Sequence, residues 1–121
     1  MSAKKAVLAA ALSLMAAPAV ASDWSTADTK WEAAYLVLHA VDWRQTHFIA
    51  TEPGHQEANR FLGPHPTNSE INRYFIATAL LHVGVAYVLP PKARRVWQYL
   101  TIGIEAGTVA RNFNFGGRID F

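Results

Sequence analysis

Four ionisable side chains have the types and spacing that chemistry would need. His39 and Asp42 are three positions apart and share a helix face, while His82 and Glu105 belong to two later apolar segments. Two imidazoles and two carboxylates form the ligand set of many zinc and iron sites in helical bundles. Such an ion would activate water for hydrolysis. The alternative is a structural polar cluster without a cofactor, since no H-E-x-x-H motif and no serine nucleophile elbow occurs.

Three helices must position these side chains. Capping-box patterns occur at Thr29–Glu32 and at Thr67–Glu70, where a hydroxyl and a carboxylate satisfy free backbone N–H groups. We therefore expect helices over 30–50, 67–89 and 94–111, the second ended by Pro90-Pro91. The expected fold class is all-α, either a three-helix bundle or a helical hairpin with an interfacial helix.

Polar residues occupy one sector of the first helix and one stripe of the third. The first helix places together Glu32, Tyr35, His39, Asp42 and Thr46. The stripe on the third contains Gln98, Thr101, Glu105, Thr108 and Asn112. We expect a polar cluster of Thr46, Glu57, Asn59, Gln98, Thr101, Thr108 and Asn112. The pattern leaves open whether the polar sector of the first helix meets water or this stripe.

The second helix is apolar on all sides except at Thr78 and His82, so it must be buried in protein or in lipid. Three helices of this size can hardly enclose one of their own. Gly103 and Gly107 form a G-x-x-x-G spacing, which allows close helix packing in membranes. We therefore expect a membrane-associated protein whose partners are the lipid bilayer and either further copies of itself or another envelope protein.

The first 21 residues have the layout of a secretory signal peptide. Lys4 and Lys5 precede an Ala-rich apolar run, and small residues at Ala19 and Ala21 suit cleavage after Ala21. The expected organisation is a signal peptide over 1–21, a helical domain over 22–112 and an extended tail over 113–121. We expect export to the inner membrane with a periplasmic face, or alternatively to the periplasm.

Charge argues against a nucleic-acid partner. Without Lys4 and Lys5, the eleven Lys and Arg residues become nine, equal to the nine Asp and Glu residues. A neutral exported chain lacks the basic stripe that nucleic acid requires.

The basic turn KARR at 92–95 also bears on topology. A hairpin of the second and third helices, with the first helix on the outer surface, would keep this turn in the cytoplasm, as the positive-inside rule favours.

The segment Asp42-Trp-Arg-Gln-Thr46, with Glu57-Ala-Asn59 in the next loop, resembles a pattern in small multi-helix membrane proteins of bacteria and their phages. The resemblance covers about 30–90. Arg60 stands where that family has proline. The resemblance implies a membrane architecture and no reaction, and it marks Asp42, Thr46, Glu57 and Asn59 as positions of interest.

We therefore expect a small exported membrane or envelope protein that acts through helix packing or a protein partner. One alternative is a metal-dependent hydrolase with a His/Asp/Glu site between the helices. The other is a soluble periplasmic binding or inhibitor module.

Overall fold

The computed structural model describes residues 23–51 and 61–114, and every regular element in these two stretches is an α-helix. The all-α prediction is therefore confirmed for the described chain. The helices are α1 (Thr26–Thr51), α2 (Asn68–Val88) and α3 (Pro91–Asn114). The predicted signal peptide, the loop positions Glu57 and Asn59, and residues 115–121 of the predicted tail lie outside the described residues.

α1 and α3 run in the same direction, and α2 runs opposite to both. Asp28 near the start of α1 bonds to Arg94 near the start of α3. Asp42, in the second half of α1, bonds to Asn112 near the end of α3. His82, in the second half of α2, bonds to the first half of α1. α1 thus packs along its length against both neighbours, which is a three-helix bundle and not a hairpin with a separate interfacial helix.

The boundaries of α2 follow the sequence signals. Thr67 Oγ1 accepts a hydrogen bond from the Glu70 backbone N–H at 3.1 Å, and the Glu70 carboxylate accepts from the Thr67 backbone. This confirms the capping box predicted there. Leu89 has an extended backbone and ends the helix before Pro90, as the proline pair predicted.

The predicted start of α1 is wrong. The helix begins at Thr26, because Ser25 and Asp28 exchange hydrogen bonds between side chain and backbone in the manner of a capping box. Glu32, which the prediction placed at this helix start, is buried between the helices instead.

α3 is longer than predicted at both ends. It begins at Pro91, since a proline is well tolerated in the first helical turn, where its missing N–H would have no partner. It continues through Phe113 and Asn114, which the prediction had assigned to the extended tail. The first two tail residues are therefore helical.

The bundle is polar inside and apolar outside. Only six hydrophobic side chains in the described residues are buried, whereas eleven polar or charged ones are. The buried polar residues are Asp28, Glu32, His39, Asp42, Gln45, Thr46, His82, Arg94, Gln98, Glu105 and Asn112. Twelve large hydrophobic residues are exposed, including Val37, Leu80, Val96, Leu100 and Ile104. The polar sector of α1 thus faces the other two helices.

A small apolar cluster closes one end of the bundle. Leu62, Ile71 and Phe75 are buried together, and Trp43 and Tyr74 pack against them. This cluster fixes the start of α2 against the second half of α1.

Candidate functional site

The candidate site is a polar interior in which four layers of hydrogen-bonded side chains follow one another along the bundle. We number the polar layers from the start of α1. The first contains Asp28, Arg94 and Arg95; the second Glu32, His82, Gln98 and Thr101; the third His39, Thr78 and Glu105; and the fourth Asp42, Gln45 and Asn112.

The first layer is built around the fully buried guanidinium of Arg94. It donates to Asp28 Oδ2 at 2.8 Å and to the backbone carbonyls of Ala86 and Leu89. Arg95 donates to the other carboxylate oxygen of Asp28 at 3.0 Å. The layer therefore joins the start of α1 to the turn between α2 and α3.

Asp28 lies in the first turn of α1, at the end of the bundle. The ionised form of this carboxyl accepts hydrogen bonds from the Ser25 backbone N–H and from the guanidinium groups of Arg94 and Arg95. Asp28 is therefore an anion that matches the buried cation of Arg94.

The second and third layers each contain a buried histidine bonded to a buried glutamate. His39 Nδ1 lies 2.8 Å from Glu105 Oε1, so this pair joins α1 to α3. His82 Nδ1 bonds to Glu32 Oε1, which joins α2 to α1. Gln98 of α3 donates to the second oxygen of Glu32 at 3.2 Å, so all three helices meet in the second layer.

The far nitrogen of each histidine also points at an acceptor. His39 Nε2 is 3.0 Å from the carbonyl oxygen of Phe75 and 3.0 Å from the Thr78 hydroxyl, which itself donates to a carbonyl. His82 Nε2 is 2.7 Å from the hydroxyl of Thr101, which likewise donates to a backbone carbonyl. Each imidazole is therefore held at both ring nitrogens, by a carboxylate at Nδ1 and by a hydroxyl at Nε2.

Stacked rings connect the two pairs. The Tyr35 ring lies between both imidazoles, with centroids 3.5 Å from His82 and 5.3 Å from His39. Trp97 continues the stack beyond His82, and the Phe75 ring is tilted by 48° against His39 with centroids 4.9 Å apart. Rings stacked in this way restrict the rotation of both imidazoles, which keeps each ring aligned with its carboxylate.

The fourth layer is an amide and carboxylate cluster. Asn112 donates to Asp42 Oδ1 at 3.0 Å and to Gln45 Oε1 at 3.2 Å. Gln45 donates in turn to the backbone carbonyl of Val109. Thr46 adds a longer bond of 3.4 Å to Asp42. This layer attaches the second half of α1 to the last turns of α3.

The four predicted metal ligands do not form one cluster. His39 and Glu105 bond to each other, His82 bonds to Glu32, and Asp42 bonds to Asn112. Across 23–51 and 61–114, no three His, Asp or Glu side chains are grouped so that they could hold a metal ion. The candidate ligands are divided among separate hydrogen-bonded pairs, and the metal site stays a prediction.

The structure describes five of the seven residues expected in the polar cluster, and Glu57 and Asn59 lie outside the described residues. Thr46, Gln98, Thr101 and Asn112 all belong to or bond with the polar layers. Thr108 donates to the Ile104 carbonyl and lines a cavity beside the third layer. Gly103 and Gly107 lie on the exposed side of α3, so they mediate no contact within the described bundle. Their proposed role in helix packing between chains stays a prediction.

Sequence reasoning did not predict that four members of the layers are buried between the helices: Asp28, Glu32, Gln45 and Arg94. A signal for two of them was present. Arg94 is four residues before Gln98 and extends the stripe of α3 by one turn. Glu32 was placed in the polar sector of α1, but its spacing from Thr29 also fitted a capping box.

A cavity of about 370 Å³ lies beside the second, third and fourth layers. α2 and α3 contact each other less than either contacts α1, and side chains from all three helices line the space. Both histidines and Glu105 form its polar wall, and Leu81 and Ile104 contribute apolar surface.

Comparison of the chain with family models, curated proteins and solved structures gave no match. The resemblance to small bacterial and phage membrane proteins therefore stays a prediction. Function must be inferred from the polar layers, the cavity and the apolar exterior.

The first layer should dominate stability at its end of the bundle. Arg94→Ala removes a buried cation from Asp28 and takes a donor from the buried carbonyl of Ala86 and the half-buried carbonyl of Leu89, so it should lower the free energy of unfolding by about 3–5 kcal/mol. Lys92→Ala, two positions earlier and exposed, should change it by less than about 0.5 kcal/mol. Detergent-solubilised chain, unfolded while helix content is followed by circular dichroism, gives both values. Equal losses for the two variants would contradict the assigned role of Arg94.

Proposed function

We propose that the chain is a small exported integral membrane protein of three spanning helices, without enzymatic activity, that acts through the polar interior of its bundle. The observation that carries this proposal is the reversal of burial. Within 23–51 and 61–114, eleven polar or charged side chains are buried, whereas twelve large hydrophobic ones are exposed. Water would disfavour such a surface, but hydrocarbon favours it and requires that polar groups be paired inside.

α2 illustrates this reversal most clearly. Among the described helices it alone is long and apolar enough by composition to cross a bilayer, and 22% of that stretch is buried. The core helix of a water-soluble bundle would be mostly buried. Val37 on α1 and Leu100 on α3 are 64% and 60% exposed, so the apolar surface continues around the bundle.

The helices also have suitable lengths. They contain 26, 21 and 24 residues, or about 32 to 39 Å at about 1.5 Å per residue. The hydrocarbon core of a bilayer is about 30 Å thick. α1 and α3 are less apolar than α2 because their polar sides meet between the helices. Their charges therefore do not have to contact lipid.

The buried pairs also bear on topology. In a three-span arrangement with the start of α1 in the periplasm, the turn at 92–95 lies on the periplasmic side, which the positive-inside rule disfavours. However, Arg94 and Arg95 both bind Asp28. The opposite end carries Arg73 and Arg111, both exposed. We therefore place the 61–67 end in the cytoplasm.

The other two functions considered for this sequence have less support. A hydrolytic metal centre needs three or more ligands around one ion, and the candidate ligands in the described residues are divided among separate pairs. A soluble periplasmic module would need a partner that covers the apolar surface on all three helices. Release of the chain with the periplasm in the extraction described below would favour the soluble module.

Membrane insertion is tested by alkaline carbonate extraction of membranes from a bacterial host that expresses the full chain with a C-terminal tag. We expect the protein to remain in the pellet, as integral proteins do. The matched control is Leu80→Lys, which places a charge on the exposed face of α2 and should cost about 2.5–3.5 kcal/mol in lipid. Its insertion should fall, whereas release of the parent chain with the periplasm would overturn the proposal.

Topology is tested with single cysteines, because the native chain contains none. In cells with a permeable outer membrane and an intact inner membrane, an impermeant maleimide should label Lys92→Cys and leave His65→Cys unlabelled. After lysis both variants should react, since both positions are exposed. The reverse labelling pattern would contradict the proposed orientation. Labelling of both positions in intact cells would contradict a membrane between them.

A further inference from the structure

We propose that the cavity between α2 and α3 binds a small uncharged molecule that has a flat ring and a hydroxyl or N–H donor, and that enters from the lipid. The inference rests on the membrane insertion proposed above. It assigns a ligand class to a cavity of about 370 Å³, within the range of about 300–1,000 Å³ of small-molecule sites.

The position of the cavity gives a ligand access from the side of the bundle. α2 and α3 make the least contact of the three helix pairs. Leu81 of α2 and Ile104 of α3 both line the space, and Ile104 is 61% exposed. A molecule dissolved in hydrocarbon would therefore meet apolar side chains first and the polar layers after them.

The charges around the cavity favour an uncharged ligand. The two histidines that line it are each already bonded to a glutamate, so neither ring is free to pair with the charge of a ligand. Asp42 and Arg111, which have opposite signs, also line it. The lining therefore offers no net opposite charge to an ion that enters this space. Burying an unpaired charge is strongly unfavourable.

Glu105 supplies the acceptor that selects a donor group. Its Oε1 accepts from His39 at 2.8 Å, and within the described residues its Oε2 accepts no hydrogen bond. Glu105 lines the cavity and is 9% exposed. A hydroxyl or N–H group on the ligand would satisfy this oxygen, whereas an acyl chain would leave it unpaired in an apolar medium.

The remaining walls favour a ring. Tyr74 and Trp97 are both half-buried and line the cavity from α2 and α3, and the edge of Tyr35 lies at its back. Aromatic side chains pack against flat rings in offset or edge-to-face contacts. The proposed ligand class is therefore defined by three properties: a flat ring, no net charge and one hydrogen-bond donor.

The test uses full chain in lipid nanodiscs and two probes, 2-naphthol and its methyl ether 2-methoxynaphthalene, which has no donor. Equilibrium dialysis measures binding above that of empty nanodiscs. We expect saturable binding of about one naphthol per chain and about tenfold weaker binding of the ether, the value for one lost hydrogen bond to a charged group.

Two matched variants locate the site. Leu81→Trp should fill the cavity and weaken naphthol binding at least about tenfold, whereas Leu80→Trp, one position earlier and 58% exposed, should leave it unchanged. Naphthol uptake equal to that of empty nanodiscs, or equal in both variants, would overturn the proposed site. Equal affinity for the two probes would overturn the role of Glu105.

Failure of this inference can be told apart from failure of the proposed function. Co-elution of chain and lipid in gel filtration reports insertion independently of ligand. A chain that inserts but binds no naphthol contradicts the cavity alone. A chain that does not co-elute with lipid contradicts membrane insertion and, with it, the route by which the ligand enters.

Discussion

A charged group taken out of water needs a partner, and this requirement positions all three helices relative to one another. Arg94 reaches Asp28 and two carbonyls, and each buried histidine reaches a glutamate on another helix. These contacts have strict distance limits, unlike apolar contacts, which tolerate sliding. The pairs therefore fix the offset of the helices along the bundle axis.

The apolar exterior follows from this polar interior. Each helix uses its polar residues for contact with its neighbours, and this leaves its apolar residues on the outside. In hydrocarbon, two contributions favour the arrangement. The exposed apolar groups contact lipid, and no water competes for the hydrogen bonds of the polar groups inside. Both histidines and Glu105 also form the polar wall of the cavity in the bundle.

How far the sequence could predict this structure depends on the range of the interactions. Thr67, Glu70 and the proline pair act within a few residues, and they predicted the limits of α2 closely. The polar sector of α1 and the stripe of α3 were visible from helical periodicity. Their pairing was not, because His39 and Glu105 are 66 residues apart and meet only at one particular helix offset. Glu32 was misassigned because a local capping pattern competed with its role in the interior.

The central claim is that the exposed apolar faces contact lipid, and spin labels report this directly. Labels introduced through Leu80→Cys and Leu100→Cys, which replace residues 58% and 60% exposed, are compared with a label at Lys92→Cys in vesicles. The account predicts that relaxation at the two leucine positions is enhanced more by oxygen than by a water-soluble nickel complex, with the reverse at position 92. Strong enhancement by nickel at positions 80 and 100 would contradict the account, because it would mean that these faces contact water.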